Sequence, residues 1–519
     1  MRTSGVLLPI FSLAGKYGIG CFSREAYEFV DFLKDAGQTY WQILPLGPTS
    51  YGDSPYQSFS TFAGNPDFID PVRLMEEGLL TEKELREEEV PQGRNIDYSR
   101  LFDRRFLLLK KAFNRANLTD DAGYRAFCDK NADWLTDYAM YMAIKVSFHN
   151  AGLDSWDDDI RLRKQDAMER YEEDLRSEIA FYQFLQYKFD EQWSLLKTYA
   201  NDKGIKIIGD MPIYVSGDSS DVWANPELFQ LDEEMRPTRV AGCPPDAFSE
   251  TGQLWGNPLY TWDYHKKTGY DWWKKRVGKA VEWYDVVRID HFRGFDEYYS
   301  IPGDADTAVN GKWMPGPGYD LFKALDPILK SRNAGIIAED LGFITDTVRQ
   351  LVTDTGFPNM KVIQFAWGEP DADLPNEYLP MSYKSNCIAY TGTHDNETMY
   401  GWLKNQDKTT IEFIRDYTDC HSLSLKKLVR ALIRQVMASP ADYCVVPLQD
   451  WLGLDNSARI NTPSTLGNNW AWRMRPEMLT EELAGEMKKM TALYARKNIL
   501  DYKHKAEDKE EELTKKAEY

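Results

Sequence analysis

Four carboxylates in this sequence close short apolar runs: Asp210 in IIGDMPIY, Asp290 in VVRIDHFRG, Glu339 in IIAEDLG and Asp395 in YTGTHDNET. An apolar segment that ends in an acid puts a charge where burial penalises it, unless the charge is paired or used. A single such acid reads as a structural cap, whereas four on one rim read as an acid-lined pocket. Glycosidic bond cleavage uses such a pair: a retaining enzyme holds a carboxylate nucleophile about 5–5.5 Å from a carboxylic acid that protonates the leaving oxygen. Asp290 is short and stands two residues after Arg288, so alternation along a strand points both the same way. A cation there keeps an aspartate ionised. Glu339 is longer and follows Ile-Ile-Ala, where partial burial raises a carboxyl towards the range of a general acid. Asp395, beside His394, is placed to hold sugar hydroxyls and to support oxocarbenium-like charge.

These acids need a scaffold that brings strand ends together. Short apolar runs bounded by Gly, Pro or Asp recur at 5–11, 41–47, 205–213, 286–292, 335–342, 362–367, 387–395 and 444–451, alternating with helical patterns. Near-continuous apolar strands between helices indicate a parallel sheet buried on both faces, and eight such units are what a (β/α)8 TIM barrel requires. Its catalytic groups then belong at the C-terminal ends of strands. Roughly 150 residues separate the second and third runs, far more than an ordinary loop. That stretch carries helical patterns of its own, as in LFDRRFLLLKKAF and SEIAFYQFLQYKFDEQWSLLKTYA. The expected organisation is α/β: 1–65 the first part of the barrel, 66–180 a mainly helical insertion subdomain, 181–503 the remaining barrel with a loop through the 240s and 250s, and 504–519 a charged tail. No C-terminal β-sandwich is expected.

Composition narrows the partners. The 519 residues hold 82 acidic and 62 basic side chains, a net charge of −20. That sign disfavours nucleic acid, whose phosphates must be neutralised by cations. The 16 Trp, 30 Tyr and 24 Phe suit sugar rings, which offer apolar faces and hydroxyl edges, although most such side chains fill cores. Six scattered cysteines without a CxxC pair read as reduced thiols. The N-terminal stretch lacks a signal-peptide layout, and no run is long enough to span a bilayer, so a cytoplasmic protein without a membrane partner is expected. DSWDDDI lacks the Gly and terminal Glu of a calcium loop.

In order, IIGDMPIYV, RIDHFRG, IIAEDLG and YTGTHDNET resemble the strand-end motifs of the α-amylase clan. YGDSPYQSFSTFAGNP (51–66) and PPDAFSETGQLWGNPLY (244–260) are similar to glycoside hydrolase family 77, the amylomaltases or 4-α-glucanotransferases, and the likeness runs through NNWAWR (468–473). The resemblance implies that Asp290 is the nucleophile, Glu339 the acid/base and Asp395 the transition-state stabiliser. It implies sugar-binding or orienting roles for Arg288, His394 and Asp210, a donor-site border at Tyr56 and Ser54, a closing loop carrying Gln253, Trp255, Asn257 and Phe248, and a sugar contact at Asn461. It departs from the family at Ala247, where a second bulky aromatic is common. The implied substrates are maltooligosaccharides, amylose or other α-1,4-glucans, with glucose or a maltodextrin as acceptor. No cofactor is implied, because the carboxylates supply both nucleophile and proton. A plain α-glucan hydrolase and a non-catalytic glucan-binding protein are the alternatives.

Overall fold

The computed structural model describes residues 2–50, 52–91, 95–245, 249–342, 344–367 and 376–497. Ala247, Phe248 and the 504–519 tail lie outside the described residues. The strands in chain order are β1 (Thr3–Leu7), β2 (Tyr40–Gln42), β3 (Lys206–Met211), β4 (Arg239–Cys243), β5 (Gln253–Pro258), β6 (Val286–Ile289), β7 (Glu297–Pro302), β8 (Lys312–Pro315), β9 (Gly335–Ala338), β10 (Asn359–Val362), β11 (Cys387–Tyr390) and β12 (Tyr443–Pro447).

Eight of these, β1, β2, β3, β6, β9, β10, β11 and β12, close in sequence order into a parallel barrel, with β12 returning to β1. Val6, Trp41, Ile208, Val287, Ile337, Ile388 and Val445 are buried, one from each of seven strands. Helices cover the outside and side chains fill the inside, so both faces of the strands are covered and most of their residues are apolar. The expected sixth strand at 362–367 is displaced. The strand is Asn359–Val362, and Ile363–Ala366 turns into a 3-10 helix. Polar residues hid it: Asn359 bonds Asp340 at 2.9 Å and Lys361 reaches Glu377 at 2.5 Å, so neither needs an apolar setting.

Between β2 and β3 the chain is helical, ending in the 27-residue helix Arg176–Asp202. Phe181 on its first half meets Phe106 and Phe113 of the insertion, whereas Trp193 on its second half meets Phe22 and Tyr284 of the barrel layer. One helix thereby belongs to two packings and fixes the insertion to the barrel.

The remaining four strands form an antiparallel sheet in the order β5-β4-β7-β8, which the sequence did not announce. It joins two excursions from the barrel, one after β3 and one after β6. Gln253–Pro258, expected within a loop, is strand β5 of this sheet. Its partner β4 must come so close that a Cβ on Gly242 would sit 2.1 Å from the Gln253 carbonyl oxygen, so glycine is required there. Among the described residues no sandwich of two sheets follows β12. None of the described helices is long and apolar enough to cross a membrane.

Candidate active site

The barrel register sets the centre of the site. Asp210 on β3 is the direct partner of Arg288 on β6, so their side chains share one face. Arg288 Nη1 donates to Asp210 Oδ1 at 2.8 Å and Oδ2 at 2.7 Å, and lies 3.0 Å from Asp290 Oδ1, two residues beyond the strand face it shares. Tyr56 donates its hydroxyl to Asp210 Oδ2 at 2.7 Å. Burial raises the Asp210 carboxyl against the pull of Arg288. Burial alone would lower Arg288, but Asp210 and Asp290 outweigh it and hold the guanidinium well above its usual value. Gly209 precedes Asp210 because the Tyr284 ring leaves no room for a Cβ, which would meet Cγ at 2.1 Å.

Glu339 follows β9. Its carboxylate accepts backbone N–H groups from His291 at 2.7 Å and Leu341 at 2.8 Å. Those donors and Arg288 favour the charged form, yet burial and the neighbouring Asp290 outweigh them and raise the carboxyl to about 7. The His291 amide can point this way because His291 adopts a left-handed backbone, φ 51°. Its imidazole is lowered to about 4 by burial and so stays neutral near pH 7.

Asp395 follows β11 and is held from the opposite wall. Asn461 Nδ2 donates to Asp395 Oδ1 at 2.6 Å, while Arg459 Nη2 donates to the Asp395 carbonyl at 2.5 Å and Nε to the Asn461 carbonyl at 2.6 Å. His394 is buried and stacks on Tyr56, centroids 5.1 Å apart. Trp470 leans on both rings.

Over these groups lies a cleft of about 610 Å³. Ser54, Tyr56, Gln253, Trp255, Asn257, Asp290, His394, Asp395 and Asn461 all line it. Arg288 and Asp210 are buried and do not line it, nor does Glu339, whose carboxyl feels the charge of Asp290. Trp255 Nε1 donates to Gln253 Oε1 at 3.1 Å, and its ring meets the His291 ring edge-on at 4.9 Å. Asn257 is buried and donates Nδ2 to the Val215 carbonyl at 2.8 Å, which ties β5 to the turn after β3. The Ser54 hydroxyl accepts the Tyr56 amide at 3.3 Å. Phe248 lies outside the described residues. Sequence reasoning did not single out Trp470, Tyr214 or Ser464, which also line the cleft. Trp470 and Ser464 have left-handed backbones, φ 60° and 61°, for which neither residue type gives a signal.

Chemically, the arrangement offers a carboxylate beside a permanent cation, a carboxyl poised to exchange a proton near neutral pH, and a third carboxylate fixed by an amide. Aromatic faces surround all three. This is the equipment for acid–base and nucleophilic work on a neutral, ring-shaped, hydroxyl-bearing substrate.

Residues 8–480 match the sequence profile of glycoside hydrolase family 77, described as 4-alpha-glucanotransferase. The chain is 48% identical to a 4-alpha-glucanotransferase of Clostridium butyricum over 496 residues, covering 94% of this chain and all of that protein. It is 48% identical to a 4-alpha-glucanotransferase of Streptococcus pneumoniae over 510 residues, covering 97% of this chain and 99% of that one. Among solved structures it superposes on an amylomaltase from Streptococcus agalactiae in complex with acarbose, with a TM-score of 0.91 and 43% identity, covering 96% of this chain and all of that one.

Proposed function

The chain belongs to glycoside hydrolase family 77, the 4-alpha-glucanotransferases, and from that premise we propose that it moves an α-1,4-glucan segment to an acceptor sugar with retention of configuration. Asp290 attacks the anomeric carbon while Glu339 protonates the departing glycosidic oxygen, leaving a β-glucosyl ester on Asp290. The 4-hydroxyl of glucose or a maltodextrin then gives its proton to Glu339 and attacks that ester, which restores the α-1,4 bond and the free Asp290 carboxylate. Glu339 gives up one proton in the first step and regains one in the second, so the cycle closes without a co-reactant.

The observation that carries this reading is the contrast between two neighbouring carboxyls. Asp290 lies 3.0 Å from Arg288, whereas Glu339 is pushed to about 7. One carboxyl in contact with a fixed cation and one raised by burial are suited to different tasks, attacker and proton carrier. Asp395, held by Asn461, faces the same cleft and stabilises the charge that develops on the sugar ring. The Tyr56, Trp470 and Trp255 rings shield the ester from water, which favours a sugar acceptor.

Incubation with maltotriose tests the reaction: glucose and a ladder of longer maltooligosaccharides are expected, whereas a hydrolase gives only shorter sugars. Asp290→Asn is expected to abolish turnover and keep maltooligosaccharide affinity. Turnover near the wild-type level in that variant would remove Asp290 as the nucleophile.

A further inference from the structure

Away from the cleft, a second pocket of about 190 Å³ opens between the N-terminal segment at Tyr17 and the helix Tyr98–Arg115. Four arginines line it: Arg100, Arg104, Arg105 and Arg473. In a chain of net charge −20, that is a local island of positive charge.

Among the described residues only one of the four is in an ion pair. Arg104 forms a two-pronged pair with Glu88 at 2.8 and 2.9 Å. The other acid on the pocket wall, Asp97, uses its side chain to cap the helix at the Arg100 amide. Among the described residues, Arg100, Arg105 and Arg473 have no carboxylate within ion-pair distance.

Two of these three are almost fully buried, Arg105 at 3% and Arg473 at 2% exposure. Arg473 donates Nε and Nη2 to the Leu13 and Gly15 carbonyls, at 3.3 and 2.6 Å. Arg105 has a 3.3 Å bond from Nη2 to the Asp67 carbonyl, and its Nε is buried without a hydrogen-bond partner among the described residues. Asp67 and Asp70 act on Arg105, and Glu25 acts on Arg473, but none of the three makes an ion-pair contact with them. A buried guanidinium whose counter-charges stand beyond contact distance, and whose Nε has no acceptor, is incompletely compensated. A tetrahedral oxyanion in the adjoining pocket would supply a charge in direct contact and accept the forked donors.

We propose that the pocket walled by Arg100, Arg105 and Arg473 is a second binding site, for a phosphate-class oxyanion. The chain also shows how occupancy reaches the cleft. Arg473 lies three residues from Trp470, and this segment is pinned from the pocket side: the Tyr98 hydroxyl donates to the Trp470 carbonyl at 2.8 Å and the Ile96 amide to the Ala471 carbonyl at 2.7 Å. An anion that orders Arg473 therefore steadies the segment that presents Trp470 to the cleft.

The test is titration calorimetry on the full chain with inorganic phosphate and, separately, with glycerol 3-phosphate. Potassium chloride at equal ionic strength and glycerol serve as controls. Binding of either phosphate above the chloride control is expected, and comparing the two tells whether the free ion or a phosphate monoester is the ligand. Arg105→Gln and Arg100→Ala are each expected to weaken binding about tenfold or more. Arg100→Ala, at a half-buried surface position, is expected to leave transfer without phosphate unchanged. The proposal is overturned if phosphate gives no more than chloride, or if both variants bind as wild type. If Arg105→Gln does not fold, Arg100→Ala alone decides.

Discussion

Arg288 holds Asp210 and Asp290 with one nitrogen: Nη1 is 2.7 Å from Asp210 Oδ2 and 3.0 Å from Asp290 Oδ1. Asp210 is the more buried partner and takes two of the contacts, which leaves Asp290 the freer carboxylate, with 31% of its side chain exposed towards the cleft. Asp210 thus fixes the guanidinium, and the guanidinium contacts the carboxylate proposed as the nucleophile.

Replacing Arg288 by Met leaves two buried or half-buried carboxylates facing each other without a cation. The expected loss is about 3–5 kcal/mol of stability, as for breaking a buried pair, with transfer activity falling below detection. Adding Asp210→Asn in the same chain removes one of the stranded charges. Chemical denaturation of the double variant should recover part of the stability and none of the activity. If it recovers nothing, Asp210 does not carry charge against Arg288.

In the proposed mechanism Glu339 sets the alkaline limb of the rate: it must be protonated to assist departure of the first sugar, and burial raises its carboxyl to about 7. kcat/KM for transfer is therefore expected to fall about tenfold per pH unit well above that value. Glu339→Asp, which withdraws the carboxyl from the His291 and Leu341 amides, should move the limb. A limb that stays in place assigns it to another group.

The same carboxyl shapes stability. Glu339 holds its proton more tightly folded than unfolded, about 7 against an ordinary 4.5, so between those pH values the folded state carries the extra proton. Stability then falls as pH rises through this window, by up to about 3 kcal/mol from this one group at about 1.4 kcal/mol per unit. Glu339→Gln has no proton to lose. Its melting temperature relative to wild type is expected to be more favourable at pH 8 than at pH 5, and an equal difference at both pH values speaks against the raised carboxyl.

The barrel and its acids were legible because their signals are local. A strand buried on both faces reads as an apolar run, and an acid at its end stands out as a charge without cover. β10 was misplaced because Lys361 and Asn359 satisfy their polarity with Glu377 and Asp340, contacts invisible in sequence. The four-stranded sheet was invisible for a related reason. β4 with β5 and β7 with β8 come from separate excursions, are short, and contain the Gly and Pro that normally mark loops. Motif matching placed Asn257 at the cleft, but the direction of its amide, towards Val215, depends on the turn after β3. Trp470 gave no signal because a bulky aromatic at φ 60° is held there by its surroundings, the Tyr98 hydroxyl and Ile460 carbonyl among them.

Asn461 is expected to matter through Asp395 as well as through sugar. Its amide donates to Asp395 Oδ1 at 2.6 Å, and its backbone is tied to Arg459, which also holds the Asp395 carbonyl. Asn461→Asp replaces a donor by a like charge. Transfer should fall about a hundredfold or more in kcat, with KM for maltotriose changing far less and the melting temperature nearly intact, since the site is half exposed. A change confined to KM would instead make Asn461 a sugar contact alone.

The last prediction concerns what decides between sugar and water. Trp255 stands on β5, its indole N–H held by Gln253 and its ring set perpendicular to the His291 ring, so its position is set by a strand and two neighbours. That makes it a fixed wall of the cleft that Asp290 also lines, where the proposed glucosyl ester would wait for an acceptor. Trp255→Ala removes the wall while leaving Asp290, Glu339 and Arg288 untouched. Ester formation should then persist at a reduced rate, but water reaches the ester more easily. With maltotriose, the yield of longer oligosaccharides should drop several-fold and the ratio of new reducing ends to transfer products should rise. Trp255→Phe keeps an aromatic face and should keep most of the transfer, losing only the bond to Gln253. If both variants lower transfer and hydrolysis by the same factor, Trp255 binds glucan without excluding water, and the barrier to hydrolysis lies elsewhere on the cleft wall.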